Sequence, residues 1–183
     1  IAAKVLSVCS QRKDFVGFLS PYYGDVVGVT SSATQTENVV DFYDNMQATS
    51  FGVFDNGWKY VYDRFADKYR YVPLNGDVAG LCASVTANGT PWFSPAGLNR
   101  GAIRGAVKLA FSPTKSERDS LYQNRINPVT SLPGQGIVLF GDKTALASPS
   151  AFDRINVRRL FNVIEKTTVS YTHLRAHETC GHR

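Results

Sequence analysis

The first 172 residues of this 183-residue chain contain no histidine; His173, His177 and His182 all fall in the last sixteen positions. That absence removes the commonest general base from the body of the protein, and with it the Ser-His and Cys-His nucleophile pairs. Cysteine is nearly as scarce. Cys9, Cys82 and Cys180 are odd in number, far apart and form no CxxC pair, which predicts reduced thiols, a cytosolic compartment and no disulfide. No run approaches the roughly 20 apolar residues needed to cross a bilayer. The opening stretch IAAKVLSVCSQRKD lacks the apolar segment of a secretory signal, so the expectation is a soluble protein, not exported as written.

What the chain does have is 43% hydrophobic and 12% aromatic residues. At this size about 70% of the unfolded surface is buried on folding, which suits one compact domain and excludes disorder for most of the chain. Twenty Lys and Arg face 15 Asp and Glu, a formal charge of +5. So modest an excess fits nucleic acid, an acidic protein surface or solubility alone, and its location has to decide.

The last sixteen residues, TVSYTHLRAHETCGHR, break the composition abruptly and resemble a peptide read out of cloning-vector sequence. Residues 1–167 are therefore read as the domain and 168–183 as a non-native appendage. Without the appendage, 18 basic and 14 acidic residues remain.

Periodicity predicts an alternation of helices and strands. Val5, Val8 and Cys9 mark a first helix already under way at Ile1, and Asp14 to Ser20 reads as a buried strand closed by Pro21. A loop over Gly24 to Thr36 leads into a helix beginning at Thr36, with Val39, Phe42, Tyr43 and Met46 inward. SFGVF and WKYVYDRF flank Asp55-Asn56-Gly57 and are followed by YRYVPL, predicting two or three strands joined by tight turns. Asn75 or Asp77 is expected to cap a helix that buries Val78, Leu81, Cys82 and Val85. Strand character resumes over Ile103 to Phe111. Ser112 and Pro113 are expected as N-cap and first residue of the next helix, with Thr114 and Glu117 at capping-box spacing. Two short strands then surround Pro133-Gly134. In the last helix Asp153 is the expected cap, and Val157, Leu160, Phe161 and Ile164 form the expected inward stripe, making Leu160→Ala a loss of about 2 to 5 kcal/mol. The alternation predicts an α/β sandwich, a mixed sheet flanked by helices.

Several constellations test for chemistry. Gly136 to Thr144 (GIVLFGDKT) nearly matches the phosphate-loop pattern, yet IVLF favours a strand over a tight turn and Asp142 would oppose an anion. His173, His177, Cys180 and His182 have zinc-like spacing, but a tail offers no second layer of groups to orient ligands. Asp63 with Asp67, and Asp41 with Asp44, read as solvated charge. Ser112 and Ser148 lack a nucleophile elbow, and the sequon Asn88-Gly89-Thr90 carries no weight in a protein that is not secreted. No catalytic residue, cofactor site or metal site is expected. WKYVYDRFADKYRYV interleaves Lys59, Arg64, Lys68 and Arg70 with Tyr60, Tyr62, Tyr69 and Tyr71. That arrangement suits either a half-buried sheet face or stacking of single-stranded nucleic acid. Arg154 and Arg158, one turn apart, with Arg159 beside Arg158, read as a solvated face or a dock for an acidic protein.

Three segments, NGDVAGLCASVTANGTPWFSPAG (75–97), INPVTSLPGQGIVLFGDKT (126–144) and DRINVRRLFNVIEK (153–166), together with RKDFVGFLSP and GWKYVYD, resemble the core of T4-like contractile tail sheath proteins of bacteriophages. The resemblance covers most of Lys13 to Lys166. It implies a structural, non-enzymatic subunit, found in the virion and in host cytoplasm during assembly. Such subunits polymerise around an inner tail tube and contract to drive it through the host envelope. The implied partners are other sheath subunits and the tube protein, not nucleic acid or membrane; from their spacing, Arg154, Arg158 and Arg159 are expected to face the tube or a neighbouring subunit. Family members are linked by extended terminal strands added to neighbours' sheets. Those segments are not in this chain, which therefore reads as a core piece whose own oligomeric state stays open. A basic nucleic-acid-binding domain and a nucleotide enzyme are the alternatives from other classes.

Overall fold

The computed structural model describes residues 1–88 and 92–180, with side chains up to Val169. Its centre is a short parallel sheet of β1 (Gly17–Leu19), β2 (Gly52–Asp55) and β6 (Ile126–Asn127), in the order β1-β2-β6. All four residues of β2 are buried, as a central parallel strand covered on both faces requires. Period-two alternation sends neighbouring side chains to opposite layers. Leu19, Phe54 and Ile126 lie in register and enter one core, together with Leu6, Val26, Val39, Tyr43 and Leu121. Val53 enters the other with Val78, Cys82, Val129, Leu139 and Ile155, and Phe18 packs against it.

The first layer is built by α1 (Ala2–Arg12), α2 (Tyr23–Val26), α3 (Ser32–Asp44) and α5 (Lys115–Gln123). The second contains α4 (Asn75–Ala87), the hairpin of β7 (Val129–Leu132) and β8 (Gly136–Leu139), and the start of α6 (Ile155–Cys180). A separate antiparallel sheet, order β4-β3-β5, joins β3 (Trp58–Asp63), β4 (Lys68–Pro73) and β5 (Lys108–Leu109). The α/β class stands, with parallel and antiparallel pairing divided between these sheets.

Local chemistry accounts for several boundaries. The capping box forms on Thr114 and Glu117, so the helix starts at Lys115 and Ser112-Pro113 is not its cap. Gln135 N donates to Leu132 O at 3.1 Å across Pro133-Gly134, and Gly134 has φ +77. That is the type II arrangement, in which only glycine sits comfortably at the third position.

Other expectations are corrected. Leu6 and Cys9, not Val8, are the buried residues of α1. The Gly24 to Thr36 loop contains α2 and the first turn of α3, and Thr36 sits inside that helix, donating to Ser32 O at 2.9 Å. Neither Asn75 nor Asp77 caps α4: Asn75 is its first residue, and Asp77 pairs with Lys59 at 2.8 Å. Strand pairing over 103–111 is confined to Lys108–Leu109.

Asp55-Asn56-Gly57 does not close a hairpin, because β2 pairs only within the parallel sheet and β3 only within the antiparallel one. Its polar side chains are instead spent on buried backbone. Asn56 exchanges two hydrogen bonds with Val129, while Ser20 Oγ and Gly57 N both donate to the Asp55 carboxylate, at 2.7 and 3.0 Å.

Candidate protein interface

The first residues of α6 are fixed by a short antiparallel ladder. Thr144 N donates to Asp153 O and Ile155 N to Asp142 O, both at 2.8 Å, while Thr144 Oγ1 donates to Phe152 O. Asn127 braces the 142–144 segment from below: Lys143 N donates to its Oδ1 at 2.7 Å, and its Nδ2 donates to Lys143 O and Phe54 O. Gly141 lies so close that a Cβ there would sit 2.8 Å from Asn127 Oδ1. The phosphate-loop look-alike is thus a strand and a brace. Asp153 closes a 3-10 turn, Ala151–Asp153, whose cap is Ser150.

Packing on α6 differs from the expected stripe. The buried residues are Ile155, Arg158 and Asn162, spaced i, i+3, i+7, whereas Val157 and Leu160 are half-buried and Phe161 and Ile164 exposed. The reason lies at Arg158. Its guanidinium stands 4.3 Å from the Phe51 ring centre and 4.0 Å from that of Phe152, so cation–π contact and a buried aliphatic stem substitute for an apolar anchor. Burial pulls its pKa below the ordinary arginine value, and its Nε has no hydrogen-bond partner.

The three arginines therefore do not share one solvated face. Arg154 donates to Asp142 Oδ1 at 2.6 Å and to Tyr122 Oη at 2.8 Å; the Asp142 bond raises its pKa. Arg158 is 9% exposed and packs inward. Arg159 donates to Thr86 Oγ1 at 2.6 Å, and its other terminal nitrogen, NH1, is buried without a partner. It also lies against Cys82, whose thiol burial pushes up to about 11.

Arg159 opens into a cleft of about 210 Å³ between α6 and the 14–18 segment, floored by Phe15, Val16 and Phe18. A second hollow of about 460 Å³ adjoins it and shares Asp14, Asn162 and Lys166. Asn162 is 7% exposed, and its Oδ1 has no partner. Asp14 Oδ2 accepts from Arg12 at 2.8 Å, which holds the carboxyl below its usual range, while Oδ1 is unpaired. Sequence reading missed Asp14, Asn162 and Lys166; the available signal was a single amide within the apolar run of the last helix.

The aromatic-basic strands are self-satisfied. Tyr60 stacks on Tyr69 at 5.3 Å, Tyr62 tilts against Tyr69 at 5.1 Å, Lys59 pairs with Asp77, and Arg70 with Asp63. Lys59, Arg70 and the rings of Tyr60, Tyr62 and Tyr69 are thereby engaged with protein partners. Among the described residues no group of His, Cys, Asp and Glu could hold a metal, and no helix is long and apolar enough to cross a membrane. The side chains of His173, His177, Cys180 and His182 lie outside the described residues, as do Gly89 and Thr90 of the sequon.

The family model for the phage tail sheath protein central domain matches residues 1–145. The chain belongs to the phage tail sheath protein family. It is 45% identical over 173 residues to the tail sheath protein of Vibrio phage KVP40 and 41% identical over 174 residues to that of Enterobacteria phage T4. These alignments cover 87% and 88% of this chain but only 26% of each relative, so the chain spans about a quarter of the curated sheath proteins it matches. In fold it is similar to the PVC sheath complex of an extracellular contractile injection system in its contracted state. The TM-score is 0.67 at 19% identity, over 85% of this chain and 40% of that one.

Proposed function

We propose that this chain is the central part of a structural subunit of a contractile phage tail sheath. The subunit polymerises around an inner tail tube and contracts to drive the tube through the host envelope. The observation that carries this reading is the 45% identity to a tail sheath protein. A body without histidine before position 173 supports a mechanical over a catalytic role. The subunit would reside in the virion, after assembly in host cytoplasm, with sheath subunits and the tube protein as partners and neither nucleic acid nor membrane. In its domain layout, residues 1–167 form the sheath core and 168–183 an appendage, a division supported by the composition break.

Of the three arginines, Arg159 is the one offered to a neighbour; Arg154 and Arg158 serve the fold. Contraction is then a change between two sets of subunit contacts, summed over many copies. Electron microscopy of the intact sheath polypeptide carrying this domain tests the reading. Hollow tubes or stacked rings are expected, and a uniformly monomeric preparation would refute it.

A further inference from the structure

In an Asn-Gly pair the asparagine side chain is open to attack by the main-chain nitrogen that follows it, because glycine has no Cβ to crowd the approach. Two such pairs lie wholly among the described residues, Asn56-Gly57 and Asn75-Gly76, and the fold treats them oppositely. Asn56 is 0% exposed, both ends of its amide are bound to Val129, and Gly57 N donates to Asp55 Oδ1 at 3.0 Å. Neither the carboxamide nor the nitrogen of that pair is free while the chain is folded.

At Asn75 no such restraint exists. It is the first residue of α4, so Gly76 N falls in the first turn, whose N–H groups have no acceptor further back in the helix. Among the described residues Gly76 N donates to the Asn75 side chain itself, at 2.8 Å to Oδ1, and this bond folds the carboxamide back onto the nitrogen that would attack it. The other end of the amide is weakly held: Nδ2 reaches Phe18 O at 3.5 Å, the outer limit of a hydrogen bond. Gly76 is exposed, a Cβ there would meet nothing within 4 Å, and the residue borders a hollow of about 520 Å³. Water can enter and ammonia can leave. The backbone rotation that ring closure needs at Asn75 is confined to a helix end, where fraying is ordinary.

We infer that Asn75 is a site of spontaneous deamidation in the folded protein. Gly76 N gives up its proton to water or hydroxide and bonds to Asn75 Cγ; the Cγ–Nδ2 bond breaks, ammonia departs and a succinimide ring closes. Water then adds to one of the two ring carbonyls and breaks its bond to nitrogen, which leaves isoaspartate or aspartate. Either product places a new negative charge two residues before Asp77 and its partner Lys59. Isoaspartate also lengthens the main chain by a methylene just after the nitrogen that Ser20 Oγ holds at 2.9 Å, loosening the start of α4 from the end of β1. The modification is independent of the sheath reading.

Peptide mapping by mass spectrometry, on the 183-residue chain incubated in native buffer at neutral pH, tests it. The amide-to-acid mass shift is expected in the peptide holding Asn75 at least about a hundredfold faster than in the peptide holding Asn56, whose reaction waits for unfolding. In urea the two peptides should convert at similar rates. Gly76→Ala should slow the shift severalfold with a melting temperature equal or higher, since the Cβ has room and alanine favours the helix. Asn75→Gln, whose longer side chain disfavours ring closure, should abolish it. A folded chain whose Asn75 peptide keeps its mass while the urea-unfolded chain converts, or whose two peptides convert at one rate, overturns the inference. So does a shift that persists in that peptide of Asn75→Gln.

Discussion

Asn56 and Val129 are joined by two hydrogen bonds: Asn56 Nδ2 donates to Val129 O at 3.1 Å, and Val129 N donates to Asn56 Oδ1 at 2.9 Å. Both residues are 0% exposed. The asparagine thus presents the edge of a missing strand to the first residue of β7, linking the parallel sheet to the hairpin. Asn56→Leu leaves a buried N–H and a buried C=O unpaired and is expected to cost about 2 to 5 kcal/mol, measured as a lowered urea midpoint with an unchanged slope.

Asp55 lies next in the chain, and burial, with a smaller push from nearby Asp77, raises its carboxyl from the ordinary 3.8 to about 8 despite donation from Ser20 and Gly57. The folded state therefore holds a proton that the unfolded chain releases near pH 4. This group's contribution to stability is full below pH 3.8, falls as pH rises through the window to about 8, and is level above it. Asp55→Asn should flatten that slope. Urea titrations at intervals across the window measure it, and a wild-type stability that rises between pH 5 and 8 in parallel with the variant would contradict the assignment.

Two substitutions on α6 separate the packed face from the exposed one. Ile155 is fully buried, so Ile155→Ala is expected to cost about 2 to 5 kcal/mol. Phe161 is 40% exposed and touches Phe152 edge-on, and Phe161→Ala should stay within about 1 kcal/mol in this chain. Leu160→Ala belongs between them because Leu160 is only half-buried. Thermal melts of the three variants give the order directly.

Gly101 is enclosed by backbone: a Cβ there would lie 2.6 Å from Leu139 O and 2.8 Å from Gly97 O. Main-chain atoms cannot rotate away as a side chain can, so Gly101→Ala is expected to cost about 1 to 3 kcal/mol. Gly80→Ala, where the space is open, serves as the control and should be neutral or stabilising, since alanine is the better helix former.

The sequence made local patterns legible and long-range partners obscure. The capping box at Thr114 and Glu117 and the Pro133-Gly134 hairpin were readable because each is decided within four residues. Asp55-Asn56-Gly57 was not, because a turn signal cannot reveal that Asn56 is bound by Val129, 73 positions away. On α6 the apolar spacing was real but the inward face was misjudged. The aromatic slot between Phe51 and Phe152 accepts Arg158, and its Phe51 wall comes from chain distant in sequence. The cleft beside α6 was not readable because it needs the 14–18 segment and α6 brought together.

The ladder between residues 142–144 and 153–155 ties the start of α6 to the body of the domain. The backbone bonds of Thr144 and Ile155, the Thr144 hydroxyl and the Arg154–Asp142 ion pair all join the same two segments, so releasing the start of α6 requires breaking all of them. Behind them Asn127 connects the segment to the central strand through Phe54 O. The start of the last helix is thereby anchored to the middle of the parallel sheet, through Asp142, Lys143 and Asn127 to Phe54.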